Sequence, residues 1–376
     1  MRDLRQLPKA HLHVHLECAV RWTTLAEIAT ANGVVLPDVW AAGGHVFELG
    51  FRQFADHGML VRDCLRRPED FTRIAREFCA DETREGVGYV EVTFTAAAHG
   101  ERLGSLEMPL EAVIRGLREG QAAHGIEWRL ILDHSRRRSV QRAWRTLDLA
   151  RGYHADGVIG MGMAGEESYP LAPFAEVLDA ATAAGVHLIH HAGEFGGPDS
   201  IREALQVGHA ERLGHGIRAL EDSVLVAELR ARGVPLEVCP SSNVALRASA
   251  SLASHPLPRL LEAGLMVTLN TDVPATIGTN LTQEYTRMRE TFGLDDRVLA
   301  DLALASVHAS FAPERTKVRL REAINGWWSQ PPGRSGRLVE PRSGGGDGSA
   351  APHEISSGVH LRIGQSAHDT PGLSTC

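Results

Sequence analysis

Lysine is nearly absent from this chain. Of 39 basic residues only Lys9 and Lys317 are not arginine, which reads as the coding bias of a GC-rich genome and leaves almost no lysine for chemistry. Cysteine is sparse too. Cys18, Cys64, Cys79, Cys239 and Cys376 are scattered without paired spacing, so no disulfide framework is expected and a reducing cytoplasm is the default compartment. No run approaches the roughly 18 apolar residues that a membrane span needs. The segment after Met1, Arg2-Asp3-Leu4-Arg5, has no apolar signal-peptide core. Basic charge is not in excess either: 39 basic against 47 acidic residues give a formal net charge of −8, which argues against a nucleic-acid surface. These absences leave a cytoplasmic protein whose expected partner is a small molecule, not a nucleic acid or a membrane.

What is present suits one large α/β domain. The 376 residues are 43% hydrophobic, enough for a sizeable core, and an α/β barrel commonly uses about 250 residues or more. Short apolar runs alternate with helical periodicity, the mark of βαβ units and a parallel sheet. Eight strand candidates begin near Ala10, Tyr89, Trp128, Val158, His187, Arg212, Pro235 and Met266. Amphipathic stretches at 171–184, 223–232 and 257–263 end at Gly185, Gly233 and Gly264, as helix C-termini do. A doubly wound sheet would want a glycine-rich phosphate loop after the first strand, and Leu16-Glu17-Cys18-Ala19 is not one. The expected fold is therefore a (β/α)8 TIM barrel. A long connection after the first strand carries helices at 51–65 and 69–85, which either cover the mouth of the barrel or merely pad it. Helical patterning over 298–323, broken near Pro313, dies at Gln330-Pro331-Pro332, with Trp327 and Trp328 expected to close the last helix against the barrel. The rest is rich in Gly, Ser, Pro and Arg and reads as a disordered tail, so the barrel is placed at 1–329 and the tail at 330–376.

The chemistry concentrates at strand ends. In Ala10-His11-Leu12-His13-Val14-His15-Leu16-Glu17 the strand period of two puts His11, His13, His15 and Glu17 on one face. A row of imidazoles packs a barrel poorly but binds a metal well, since neutral imidazole is a common zinc donor. The alternative, core histidines satisfied by carbonyls, would account for one histidine more easily than for this row. His190-His191-Ala192-Gly193-Glu194 ends the fifth strand, Leu213-Gly214-His215-Gly216 the sixth, and Asn270-Thr271-Asp272 the eighth. Functional groups of such barrels gather at the C-terminal ends of strands, and four of these ends carry a ligand or proton-transfer group.

These runs resemble the signatures of the adenosine and adenine deaminases. Pro8 to Glu17 looks like the first-strand signature, His191-Ala192-Gly193-Glu194 and Arg212-Leu213-Gly214-His215-Gly216 like two more, and Cys239-Pro240-Ser241-Ser242-Asn243 and Thr271-Asp272 follow in order. The resemblance spans about residues 7–323. It implies one zinc per chain held by His13, His15, His191 and Asp272, with His11 outside the ligand set. It further implies that His215 and Asp272 orient a metal-activated water and receive its proton, while Glu194 protonates a purine ring nitrogen so that ammonia is lost. Glu17 aligns with an acid that contacts the ribose hydroxyl; its plainer reading is a rim carboxylate or a partner for Arg21. The backbone of Gly165 matches a glycine that meets another purine nitrogen.

Four positions depart from the family pattern. The second of two adjacent aspartates, which hydrogen-bonds the imidazole side of the purine, is Val273 here. Cys18 replaces a glycine, Gly162 stands where an aspartate is frequent, and Thr93 replaces an arginine common in the second strand. Cys18 is either a space-filler or an extra ligand or nucleophile. The substrate reading is accordingly an adenosine-like amino-purine or other amino-heterocycle, with aminodeoxyfutalosine or a cyclic amidine of secondary metabolism as alternatives. A metal-binding module without catalysis is a further alternative, against which Glu194 and His215 speak. A two-metal hydrolase of esters, lactones or phosphoesters would commonly want a bridging carboxylated lysine, and neither Lys9 nor Lys317 is at a strand end. Other divalent metals suit the same donors.

Overall fold

Eight parallel strands follow one another in chain order: β1 (Lys9–His15), β2 (Val87–Phe94), β3 (Glu127–Ser135), β4 (Val158–Ala164), β5 (His187–Ala192), β6 (Arg212–His215), β7 (Leu236–Val238) and β8 (Val267–Leu269). The structure is a computed structural model that describes residues 1–37 and 51–329. Each strand starts within two residues of its expected position. The architecture is the expected TIM barrel. Helices come between the strands, and Gly185, Gly233 and Gly264 each have φ between 62° and 71°, the left-handed conformation that ends a helix at little cost for glycine.

The seam of the barrel is short. β8 and β1 meet through one parallel bridge, Val14 with Asp272. The His15 amide donates to the Asp272 carbonyl and the Asp272 amide to the His13 carbonyl, both at 2.9 Å. Asn270 Oδ1 adds two acceptor contacts, from the amides of Leu12 (2.9 Å) and His13 (3.1 Å). The side chains of Leu12, Val14 and Leu16 are buried in the core cluster that fills the space between strands and helices.

The helix Pro68–Arg84 belongs to the outer layer, which favours the padding reading for it. It buries Phe71, Ile74, Ala75, Phe78 and Cys79 and lies so close to Met108–His124 that a Cβ on Gly116 would stand 2.2 Å from the Thr72 carbonyl oxygen. The helix Phe51–Cys64 instead touches the Glu17–Ala19 turn that follows β1 at the mouth. At the other end, Asp296–Ala309 and Glu314–Ser329 are separate helices, with Pro313 in the break. Trp327 is buried and donates its indole N–H to the Asp3 carbonyl, while the Arg2 guanidinium lies 4.7 Å from the Trp328 ring centroid. The tail expected at 330–376 lies outside the described residues. Among the described residues no helix is long and apolar enough to cross a membrane.

A buried ion network sits under the mouth. The Arg212 guanidinium on β6 donates to Glu237 on β7 (2.6 Å), to Glu91 on β2 (2.5 Å) and to the Ala309 carbonyl (3.0 Å). Glu91 also accepts from the Tyr89 hydroxyl at 2.9 Å and the Phe311 amide at 2.6 Å. Each of the three guanidinium nitrogens of Arg212 meets an acceptor, which helps to offset the cost of burying such charge.

Candidate metal centre

The C-terminal ends of β1, β5 and β6 and the residue group after β8 converge on one buried point. His15 Nε2 lies 3.3 Å from His191 Nε2 and 3.3 Å from Asp272 Oδ1, and His13 Nε2 lies 3.5 Å from the same oxygen. The donor atoms of His13, His191, His215 and Asp272 all fall within 4.8 Å of one another. All five side chains expected around the metal are therefore neighbours. His11 is not among them: its Nδ1 lies 2.7 Å from Glu82 and its Nε2 3.1 Å from the Thr271 hydroxyl. A register shift between His11 and Val14 breaks the regular pairing of β1 with β2 at this point.

Two observations fit this cluster to a divalent cation. His13 Nε2 is buried with no hydrogen-bond partner among the described residues, an arrangement that is costly unless something else meets that nitrogen. The charge balance agrees. Burial alone lowers the His13 imidazole, but the neighbouring carboxylates of Asp272 and Glu237 override it and hold it up to about 10. That proton answers an excess of negative charge which a cation would answer equally, and ligand binding displaces such protons. His191 is held well below the usual imidazole range, by burial first and then by His13, His15 and His215; it is a neutral donor. Glu237 Oε2 takes the other ring nitrogen of His13, Nδ1, at 2.8 Å, the carboxylate–histidine pairing that fixes a ligand's tautomer.

Glu194 stands beside this cluster on the turn after β5. Its Oε2 lies 3.6 Å from His215 Nε2. Burial, followed by the charges of Asp272 and Glu167, pushes its carboxyl well above the usual range, which favours the protonated form. The Asn243 amide nitrogen donates to Glu194 Oε1 at 3.0 Å and faces His215 Nδ1 at 3.1 Å, while its Oδ1 faces His255 at 3.2 Å. This pattern makes Oε1 an acceptor and leaves the Glu194 proton on Oε2. It also makes His215 Nδ1 an acceptor and leaves the imidazole proton on Nε2. Burial, then the charge of His13, lowers His215 to about 4.

Local backbone serves the same end. His215 (φ 66°) and Asp272 (φ 61°) adopt the left-handed conformation, rare for residues with a Cβ and a recurrent feature of functional sites. A Cβ on Gly214 would stand 2.8 Å from His13 Cε1, so the glycine before His215 makes room for a neighbouring imidazole. The Glu194 turn is pinned from below. Glu167 accepts from the amides of Gly193 (2.6 Å), Glu194 (2.9 Å) and Phe195 (2.8 Å) and from the Ser200 hydroxyl (2.5 Å).

The positions expected to meet substrate differ in surroundings. Glu17 Oε1 accepts from the Thr95 amide at 3.0 Å, the Thr95 hydroxyl and His99 Nε2, and these contacts, with the His99 charge, overcome burial and hold it down to about 2. Arg21 is not its partner; the guanidinium pairs with Asp81 and Glu77. Gly165 has φ 91°, open to glycine and not readily to other residues. Val273 is fully buried and shares a small apolar cluster with Cys18, Ala245 and Ile277. Two departures from the family pattern, Cys18 and Val273, thus belong to one buried cluster. Burial pushes the Cys18 thiol well up, which suits a space-filler and not a nucleophile. Gly162 faces Asp133 across the β3–β4 pair. Burial, then the charges of Glu17 and Asp272, raises Asp133 to about 7.

Several site residues escaped the sequence reading: Glu167, Glu237, Ser242, Asn243 and Asp133. Ser242 donates to Asp272 Oδ2 at 2.5 Å. Ser242 and Asn243 lie in the Cys239–Asn243 run, to which the sequence alone assigns no role. A glutamate within the apolar run of β7 was a readable signal for Glu237, because a buried acid needs a partner.

A sequence model of the family described as adenosine deaminase matches residues 8–327. An adenine deaminase of Streptomyces coelicolor is 37% identical, over 85% of this chain and 94% of its own length. An aminodeoxyfutalosine deaminase of the same organism is 36% identical, over 85% of this chain and 84% of its own. The crystal structure of an adenine deaminase from Arthrobacter aurescens superposes with a TM-score of 0.81 at 33% identity, covering 86% of this chain and 99% of that one.

Proposed function

We propose that this chain, which belongs to the adenosine/adenine deaminase family of the metal-dependent amidohydrolase superfamily, releases ammonia from an amino-purine or related amino-heterocycle. It is a metal-dependent hydrolytic enzyme acting on C–N bonds. The finer reading is supported above all by one observation: a buried Glu194 whose Oε2 faces His215 while Oε1 accepts from Asn243, in surroundings that push its carboxyl up.

His13, His15, His191 and Asp272 would hold a single zinc ion. When bound, the metal supplies Lewis acidity that brings the pKa of water from about 15.7 toward about 7. His215 would orient the attacking oxygen through its Nε2–H, the tautomer that Asn243 favours. Glu194 Oε2 would pass its proton to the ring nitrogen beside the carbon under attack, making that carbon electrophilic. Asp272, with Ser242 on its second oxygen, would accept a hydrogen bond from the attacking group. Glu17 and the Gly165 backbone would meet the rest of the substrate. The apolar setting of Val273 favours a modified substrate over adenosine itself, and one similar protein is by name an aminodeoxyfutalosine deaminase.

The test is ammonia release by zinc-loaded protein across adenine, adenosine, 5′-modified adenosines and amino-heterocycles. Turnover of at least one member is expected, and Glu194→Gln should lower its kcat by about 10²–10⁴-fold with zinc content unchanged. Bound zinc with no release from any member would favour a non-catalytic module instead.

A further inference from the structure

His15 presents Nε2 to the cluster, 3.3 Å from His191 Nε2 and from Asp272 Oδ1. Its Nδ1 therefore points away and must carry the ring proton if Nε2 is to donate to a metal. A ligand imidazole of this kind is normally held by an acceptor on its far nitrogen. For His13 that acceptor is Glu237, at 2.8 Å. For His15 the nearby carboxylate is Asp133, at the end of β3, whose Oδ2 is 4.0 Å from His15 Nδ1. Asp133 is 5% exposed, and its Oδ1 is buried with no hydrogen-bond partner among the described residues.

The strand beside it is cut away to fit. Gly162 is the register partner of Asp133 on β4. Its backbone is not in the left-handed region, so conformation does not demand glycine there; space does. A Cβ at this position would stand 2.9 Å from Asp133 Oδ1 and 2.8 Å from the Ile189 carbonyl oxygen, closer than Cβ atoms come. Any side chain at 162 would push the Asp133 carboxylate off its present position.

We propose that Asp133 is the positioning carboxylate of His15, and that Gly162 is glycine because Asp133 occupies the space of its missing side chain. The pair replaces one side chain on β4 with one reaching over from β3. Asp133 acts through His15 and touches no reacting atom. The inference rests on the reading of this cluster as a metal centre.

The experiment is zinc affinity of the full chain, measured by competition with a chromophoric chelator, for wild type, Asp133→Ala, Asp133→Asn, Gly162→Ala and the double variant Asp133→Ala/Gly162→Ala. Loss of an outer partner of a metal ligand typically weakens binding by about 10–100-fold, and that loss is expected for Asp133→Ala, with Asp133→Asn between it and wild type because an amide oxygen still accepts. Gly162→Ala should weaken zinc binding in the wild-type background and have no further effect once Asp133 is gone, since coupled residues are non-additive. Strain against the Ile189 carbonyl, by contrast, should lower the melting temperature of Gly162→Ala in both backgrounds, which separates folding from positioning. Wild-type affinity in Asp133→Ala, or additive losses in the double variant, would overturn the proposal. Failure of the wild-type chain to bind zinc at all would instead remove the metal reading on which it rests.

Discussion

At Val273 one side chain divides two kinds of site. An acid here would join the buried apolar cluster of Cys18, Ala245 and Ile277, where an ionised carboxylate is costly unless it is paired. Val273→Asp alone is therefore expected to destabilise the fold by on the order of 3 kcal/mol, read as a shift of the urea midpoint, without gain of adenosine turnover. Combined with Cys18→Gly, which removes a side chain from the same cluster, stability should partly return and kcat/KM for adenosine should rise. A single Val273→Asp variant as stable as the parent would show that this cluster is not the constraint. His190 offers a second residue-scale outcome. Its Nδ1 accepts from the Met163 amide at 3.1 Å and its Nε2 donates to the Gly208 carbonyl at 2.8 Å, so only the neutral ring satisfies both. Burial lowers it from 6.5 to about 4. Between those values the unfolded chain binds the extra proton, so stability rises with pH across that window. The contribution is fully present above about 6.5 and lost as pH falls through about 4, on the order of 2–3 kcal/mol. His190→Gln should flatten that part of the stability–pH curve, and an unchanged slope would contradict the assignment.

At the scale of elements, strands β2, β6 and β7 are tied by the ion group of Arg212, Glu91 and Glu237. Arg212→Met would strip two buried carboxylates of their shared guanidinium counter-charge and is expected to cost about 3–5 kcal/mol, measurable by denaturant unfolding; Arg212→Lys, unable to reach three acceptors at once, should recover little. The scale also explains what a reader of the sequence could and could not see. Strand starts and the positions of His13, His15, His191, His215 and Asp272 were legible because each lies in a short motif at a strand end, where periodicity and helix stops fix the place. The roles of Glu237 and Asp133 were not, because each depends on which strand lies alongside: Glu237 meets His13 only through the closure that brings β7 near β1, and Asp133 meets Gly162 only through the β3–β4 register. The lid question divided in the same way. Helical periodicity located Pro68–Arg84, but the close approach to Met108–His124 that puts it in the outer layer comes from Gly116, a residue on a different helix.

For the molecule as a whole, removing the metal should lower the melting temperature, since a ligand that binds only the folded chain adds stability by mass action, about 4 kcal/mol at a thousandfold excess over Kd. The loss should not be spread evenly. The amides of His15 and Asp272 close the β1–β8 seam, and their residues also supply expected metal ligands. Chelation is therefore expected to raise hydrogen exchange at these two amides before it affects the amides of the β2–β3 ladder; uniform exchange would count against this. In a hoop of eight staves, seven joints are made by neighbours lying flat against each other and the last is made by the working parts. Such a hoop has its weakest joint where its chemistry is, and whatever loads the centre also tightens the ring.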